Sequence, residues 1–132
     1  MTYASALVRN PYATYRQIDV VGRTAVADGP ALVQLLYEEL IAALRAAAWA
    51  VERAQYAKKG ERLTRATAIL YALEAGLDFD KGGDVALTLG SFYGGVRRAI
   101  VDASIGSSPV PFREAADSLS EIAQAWKTAR AA

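Results

Sequence analysis

The chain contains no cysteine and no histidine. The first absence excludes disulfides and thiolate chemistry. The second removes the commonest general base and the commonest metal ligand, and with them any Ser/His/Asp or Cys/His catalytic set. Long apolar runs are missing too. No stretch of about eighteen residues is free of charge, so no membrane-spanning helix is expected. The N-terminal MTYASALVRNPYATYRQ lacks the basic segment and long apolar run of a secretory signal. There is no excess of one charge either: fifteen Lys and Arg face fourteen Asp and Glu, for a net charge of +1. That balance provides no general attraction to nucleic acid or an anionic membrane. A cytoplasmic location is the default expectation.

What is present is apolar and helix-forming. The chain has 132 residues, of which 53% are hydrophobic, and alanine is abundant. This suits one domain with a single modest core. Asn10-Pro11 marks a turn or an extended piece, and Tyr3, Tyr12 and Tyr15 make residues 1–27 an aromatic, irregular tail with room for a short helix from Tyr15 to Val26. Residues 28–132 read as a bundle domain. A first helix starts at Asp28-Gly29-Pro30, where proline is tolerated. It carries one apolar stripe through Leu32, Leu36, Leu40, Ala43 or Leu44, Ala47, Val51 and Ala54 and a second through Val33, Tyr37, Ile41, Leu44 and Ala48. A face that wide meets two neighbours, or one neighbour and a ligand. Lys58-Lys59-Gly60 reads as its end, with cations and a glycine suited to a helix C-terminus.

Three more helices follow by the same spacing. The second runs from about Glu61 to Phe79 on Leu63, Ala66, Leu70, Leu73 and Leu77. The third runs from about Gly83 to Ser104 on Val85, Leu89, Phe92, Val96, Ile100 and Ala103. The fourth runs from about Pro111 to Ala129 on Phe112, Ala115, Leu119, Ile122, Trp126 and Ala129. The stretch from Ile69 to Tyr93 organises the chain, because two amphipathic helices joined by so short a turn must lie antiparallel. The expected fold is all-α: an antiparallel up-down four-helix bundle with an irregular or short-helical N-terminal tail.

Catalytic chemistry finds little footing. Carboxylate metal sites in bundles use Glu-x-x-His pairs, and Glu38, Glu39, Glu52, Glu61 and Glu74 fall mostly outside the apolar stripes, as on a solvated face. Asp78, Asp80 and Asp84 lack the calcium-loop spacing and suit capping and turn formation. Lys81-Gly82-Gly83 lacks the order of a phosphate loop and follows no strand, so one glycine at positive φ is the simpler reading. Lys58, Lys59, Lys81 and Lys127 all fall near helix ends or the C-terminus, which leaves no buried lysine nucleophile. Neither an enzyme nor a cofactor is expected. Gly94-Gly95 inside a helix costs roughly 1 kcal/mol per glycine against alanine. Close packing, a kink and a flexible segment are all compatible with the pair. The apolar and aromatic content exceeds the needs of one four-helix core. The excess is either an over-wide core with a docked tail or a groove that binds an amphipathic or unfolded segment.

The residues Leu35-Leu36-Tyr37, Leu77-Asp78-Phe79-Asp80-Lys81-Gly82-Gly83-Asp84-Val85-Ala86, Leu89, Phe92-Tyr93 and Trp126, with Asn10-Pro11-Tyr12 and Tyr15-Arg16-Gln17, resemble the FliS family of flagellar export chaperones. The resemblance runs from about Tyr12 to Trp126. Two departures stand out: Glu38-Glu39 where the family commonly has Asp-Gly, and Gly94-Gly95 where it has bulkier residues. The resemblance implies a cytoplasmic chaperone that binds the disordered C-terminal region of flagellin, prevents early polymerisation and presents it to the type III export apparatus. It places client contacts at Leu36, Tyr37, Leu40, Leu89 and Tyr93, and a tail gate at Tyr12, Tyr15 and Gln17. The alternative is a bundle adaptor or regulator that self-associates or binds another partner through its apolar face.

Overall fold

The computed structural model describes residues 29–131, so the expected tail, residues 1–27, lies outside the described residues. Four helices follow one another: α1 (Gly29–Glu52), α2 (Tyr56–Ala75), α3 (Phe79–Ser104) and α4 (Val110–Ala131). Each packs beside its sequence neighbour, and α4 returns to α1, which closes an antiparallel bundle. The centre of gravity is α1, not the Ile69–Tyr93 hairpin, because α1 packs extensively on both α2 and α4. Its two apolar stripes are spent on these two neighbours. Leu40, Leu44, Ala47, Ala48 and Ala50 are fully or almost fully buried, and the alanines let the flanking helices approach closely.

The first helix ends earlier than the Lys58-Lys59-Gly60 signal predicts. Ala54 takes a left-handed conformation at φ 55°. Its N–H donates to the Val51 carbonyl at 3.1 Å, and the Gln55 N–H donates to the Ala50 carbonyl at 2.9 Å. These two bonds are a Schellman cap built without glycine. Lys58, Lys59 and Gly60 instead lie in the first turns of α2. The cation does serve a helix C-terminus, but that of α3: Lys59 Nζ donates to the carbonyls of Ser104 at 2.8 Å and Gly106 at 2.9 Å. Lys59 is therefore buried, not at an exposed helix end.

The second helix stops at Ala75, short of the expected Phe79, with Gly76 as its C-cap. The Asp78 side chain then accepts from the Lys81 N–H at 2.9 Å and caps the next turn. Gly83, at φ 51° and ψ −126°, separates that first turn from the straight part of α3. Only glycine takes this conformation without strain. The expected positive-φ glycine and the capping aspartate are both in place.

Three expected core positions are wrong: Ala54, which lies past the end of α1, Ala129 near the end of α4, and Val85 are all exposed. Val85 is 67% exposed, and Ala86 is buried in its stead. The first half of α3 carries small residues where it lies against the α2–α3 connection and its own first turn. A Cβ on Gly90 would stand 3.4 Å from Leu77 Cδ1 and 3.9 Å from the Phe79 ring. A stripe chosen by size and hydrophobicity overlooks a face made of alanine and glycine.

Candidate functional site

At the centre of the bundle Tyr37 on α1 and Tyr93 on α3 meet across the diagonal. Their hydroxyls share a 2.5 Å hydrogen bond, and their rings lie 6.4 Å apart at a 48° tilt. Phe92 stacks obliquely on Tyr93 at 6.0 Å. Burial pushes both phenols above their usual pKa, because a phenolate would lack water around its charge.

Three of the four seams between neighbouring helices are tied by ion pairs. Arg65 on α2 pairs with Glu39 on α1. Arg97 on α3 bonds Glu74 on α2 at 3.0 Å and lies 4.8 Å from the Tyr71 ring, and Glu74 holds its pKa above the usual arginine value. Arg45 on α1 reaches Asp117 and Ser120 on α4, both at 3.2 Å, and Arg113 pairs with Glu52. Glu39, Glu52 and Glu74 thus join helices where a purely solvated face was expected. They flank the apolar stripes, which puts them at the seam edges. Among the described residues no ion pair or side-chain hydrogen bond spans α3 and α4, and this is the sparsest of the four seams.

Half-buried apolar side chains gather at the end of the bundle where α1 and α3 begin and α4 finishes. Leu89 and Phe92 of α3, Ile122 and Trp126 of α4, and Leu32 and Val33 of α1 all pack on the core while keeping exposed surface. Trp126 Nε1 also donates to the Pro30 carbonyl at 3.1 Å, pinning the end of α4 to the start of α1. Val85 stands exposed one turn before Leu89 on the same side of α3. The combination is an apolar seam whose floor is fixed and whose two walls are not tied to each other among the described residues.

The predicted contact residues divide sharply. Leu36, Tyr37, Leu40 and Tyr93 are buried in the core and form the floor. Leu89 is half-buried at the rim. Tyr12, Tyr15 and Gln17 lie outside the described residues. Sequence reasoning passed over Phe92 and Ile122 as rim candidates, because helical spacing places them on the same stripes as true core residues. Among the described residues no cluster of acidic side chains could hold a metal ion, and no helix is long and apolar enough to cross a membrane. At Gly95 the helix is regular, so there is no kink, and no described atom of a neighbouring element lies within 4 Å of where a Cβ would stand, so it packs closely on none of the described helices.

Comparison with known proteins gives a consistent picture. The family model described as "Flagellar protein FliS" matches residues 8–132. The flagellar secretion chaperone FliS of Salmonella typhimurium is 32% identical over 114 residues, covering 86% of this chain and 84% of that protein. The protein of the same name from Vibrio cholerae is 27% identical, covering 90% and 88%. That from Bacillus subtilis is 27% identical, covering 92% and 87%.

Proposed function

This chain belongs to the FliS family of flagellar proteins, and from that premise we propose that it is a flagellar secretion chaperone for flagellin. It binds the disordered C-terminal segment of flagellin in the cytoplasm, keeps that segment from polymerising early and presents it to the type III export apparatus. The observation that carries this reading is the untied α3–α4 seam with its half-buried apolar rim.

The energetics favour such a surface. Ordering ten client residues costs roughly 10–20 kcal/mol in backbone entropy. Offsetting that takes on the order of 400–800 Å² of apolar surface at about 25 cal/mol per Å². A single pocket does not supply so much area, whereas a long seam between helices does. Leu89, with Phe92, Ile122 and Trp126, supplies direct contacts in this reading. Leu36, Tyr37, Leu40 and Tyr93 hold the floor beneath them. Tyr12, Tyr15 and Gln17 belong to the N-terminal segment, which gates the seam and lowers net affinity so that the client is released.

Titration with purified flagellin, intact and lacking its C-terminal region, tests the reading. One-to-one binding of the intact protein and loss of binding on truncation are expected. Equal binding of the two forms overturns it.

A further inference from the structure

A second apolar surface lies at the opposite end of the bundle, where α2 begins and α3 finishes. It is organised by Lys59. The Nζ that donates to the carbonyls of Ser104 and Gly106 also stands 5.9 Å from the Tyr56 ring. One buried ammonium therefore holds Tyr56 beside the loop that carries Ile105. Ile105 is 89% exposed, Tyr56 59% and Val101 54%. Arg98, Val101 and Ile105 follow one another at i, i+3 and i+7, which puts them on one side of α3. Single exposed apolar residues are ordinary. Here a buried cation bonds the carbonyls on either side of Ile105 and stands beside Tyr56, which fixes the backbone that carries the patch.

The charge around the corner indicates what it receives. Lys58 and Arg98 are exposed, and among the described residues neither is paired with an acid. The Lys59 charge itself is met by two carbonyl dipoles at the end of α3 and, among the described residues, by no carboxylate. Asp102 and Glu61 are the exposed acids on adjacent turns, against Lys58, Lys59, Arg62 and Arg98, which leaves the corner cationic on balance. A second copy of this chain docking by two-fold symmetry would bring like charges together, which is unfavourable.

We propose that this corner docks an acidic amphipathic helix of a second protein, with apolar side chains on Tyr56, Val101 and Ile105 and flanking carboxylates against Lys58 and Arg98. The surface is separate from the seam assigned to the client. Phe92 and Ile105 are thirteen helical steps apart, or about 20 Å along α3. Both surfaces can therefore be occupied at once.

The test uses the full chain and two synthetic helix-forming peptides. Both carry leucines at i, i+3, i+4 and i+7, one with glutamates and the other with lysines on the flanks. Binding is followed by backbone amide shifts. The glutamate peptide is expected to bind, with shifts confined to residues 56–62 and 98–106, and to weaken as salt rises. Ile105→Ser with Val101→Ser should weaken it about tenfold or more, the loss equivalent to one buried apolar contact. Both positions are exposed, so the thermal midpoint should hold and a loss of binding is not a loss of fold. Lys58→Glu with Arg98→Glu should reverse the preference between the peptides. Equal binding of the two peptides overturns the proposal, as do shifts centred on the α3–α4 seam, self-association abolished by Ile105→Ser, or competition with a flagellin C-terminal peptide. The result does not depend on whether flagellin itself binds, so this proposal and the chaperone reading fail separately.

Discussion

The hydroxyls of Tyr37 and Tyr93 meet at 2.5 Å across the diagonal of the bundle, 1% and 2% exposed. Each is the other's partner in an interior whose one other buried polar side chain among the described residues is Lys59, and they join two helices that barely touch elsewhere. This gives a distinctive mutational signature. Tyr37→Phe or Tyr93→Phe alone leaves one buried hydroxyl unpaired and should cost about 1–3 kcal/mol. The double variant removes both polar groups and should be less destabilised than the sum of the singles. Urea denaturation of the four proteins measures the coupling.

The same pair sets an alkaline limit. Both folded-state pKa values are raised by burial, so the folded protein holds these protons more tightly than the unfolded chain. Their contribution is intact below the unfolded value of about 10. It declines as pH rises above that value, where the unfolded chain releases protons that the folded one retains. The Tyr37→Phe/Tyr93→Phe protein should show a flatter loss of stability above this pH in otherwise matched melts.

Lys59 should behave as a clamp. Lys59→Met removes the donor from the carbonyls of Ser104 and Gly106, two charge-assisted bonds at 2.8 and 2.9 Å. The expected cost is about 2–3 kcal/mol, since hydrogen bonds to charged groups contribute roughly that much and methionine retains the packing of the stem. Hydrogen exchange should quicken most in the α3–α4 connection. A uniform change across the bundle would assign the loss to packing.

Two substitutions to or from glycine should stabilise the protein. Ala54→Gly relieves a left-handed alanine and should add about 0.5–1 kcal/mol. Gly95→Ala sits in a regular helix with no described neighbour within 4 Å of the added Cβ and should add a similar amount, about 0.5–1 kcal/mol. Gly83→Ala should do the reverse, because φ 51° with ψ −126° strains any side chain. Thermal midpoints rank the three directly.

Trp126→Ala should cost about 2 kcal/mol, less than the 3–5 kcal/mol typical of a core tryptophan, because its ring is only half-buried. Leu89→Asp should cost about 1–2 kcal/mol, as expected for a half-buried position, and weaken flagellin binding at least tenfold. A deep loss of stability at Leu89 would move it from the rim to the core.

The sequence by itself determined the class of the fold, because three-four spacing of apolar residues commits each segment to a helix with a buried face. It also determined the turn chemistry at Asp78 and Gly83, since capping and positive φ depend on residue type and immediate neighbours. Tertiary structure decided the rest. Ala54 caps α1 and Lys59 serves the far end of α3, because a cation reaches whatever helix terminus packs nearest it in space. Ala86 is buried and Gly90 lies under Leu77 and Phe79 while Val85 meets water, because close approach favours small residues that hydropathy does not weigh. Leu36, Tyr37, Leu40 and Tyr93 became floor and Leu89 became rim for the same kind of reason. Helical spacing identifies one broad apolar face, and only the neighbouring helices decide which part of it they cover.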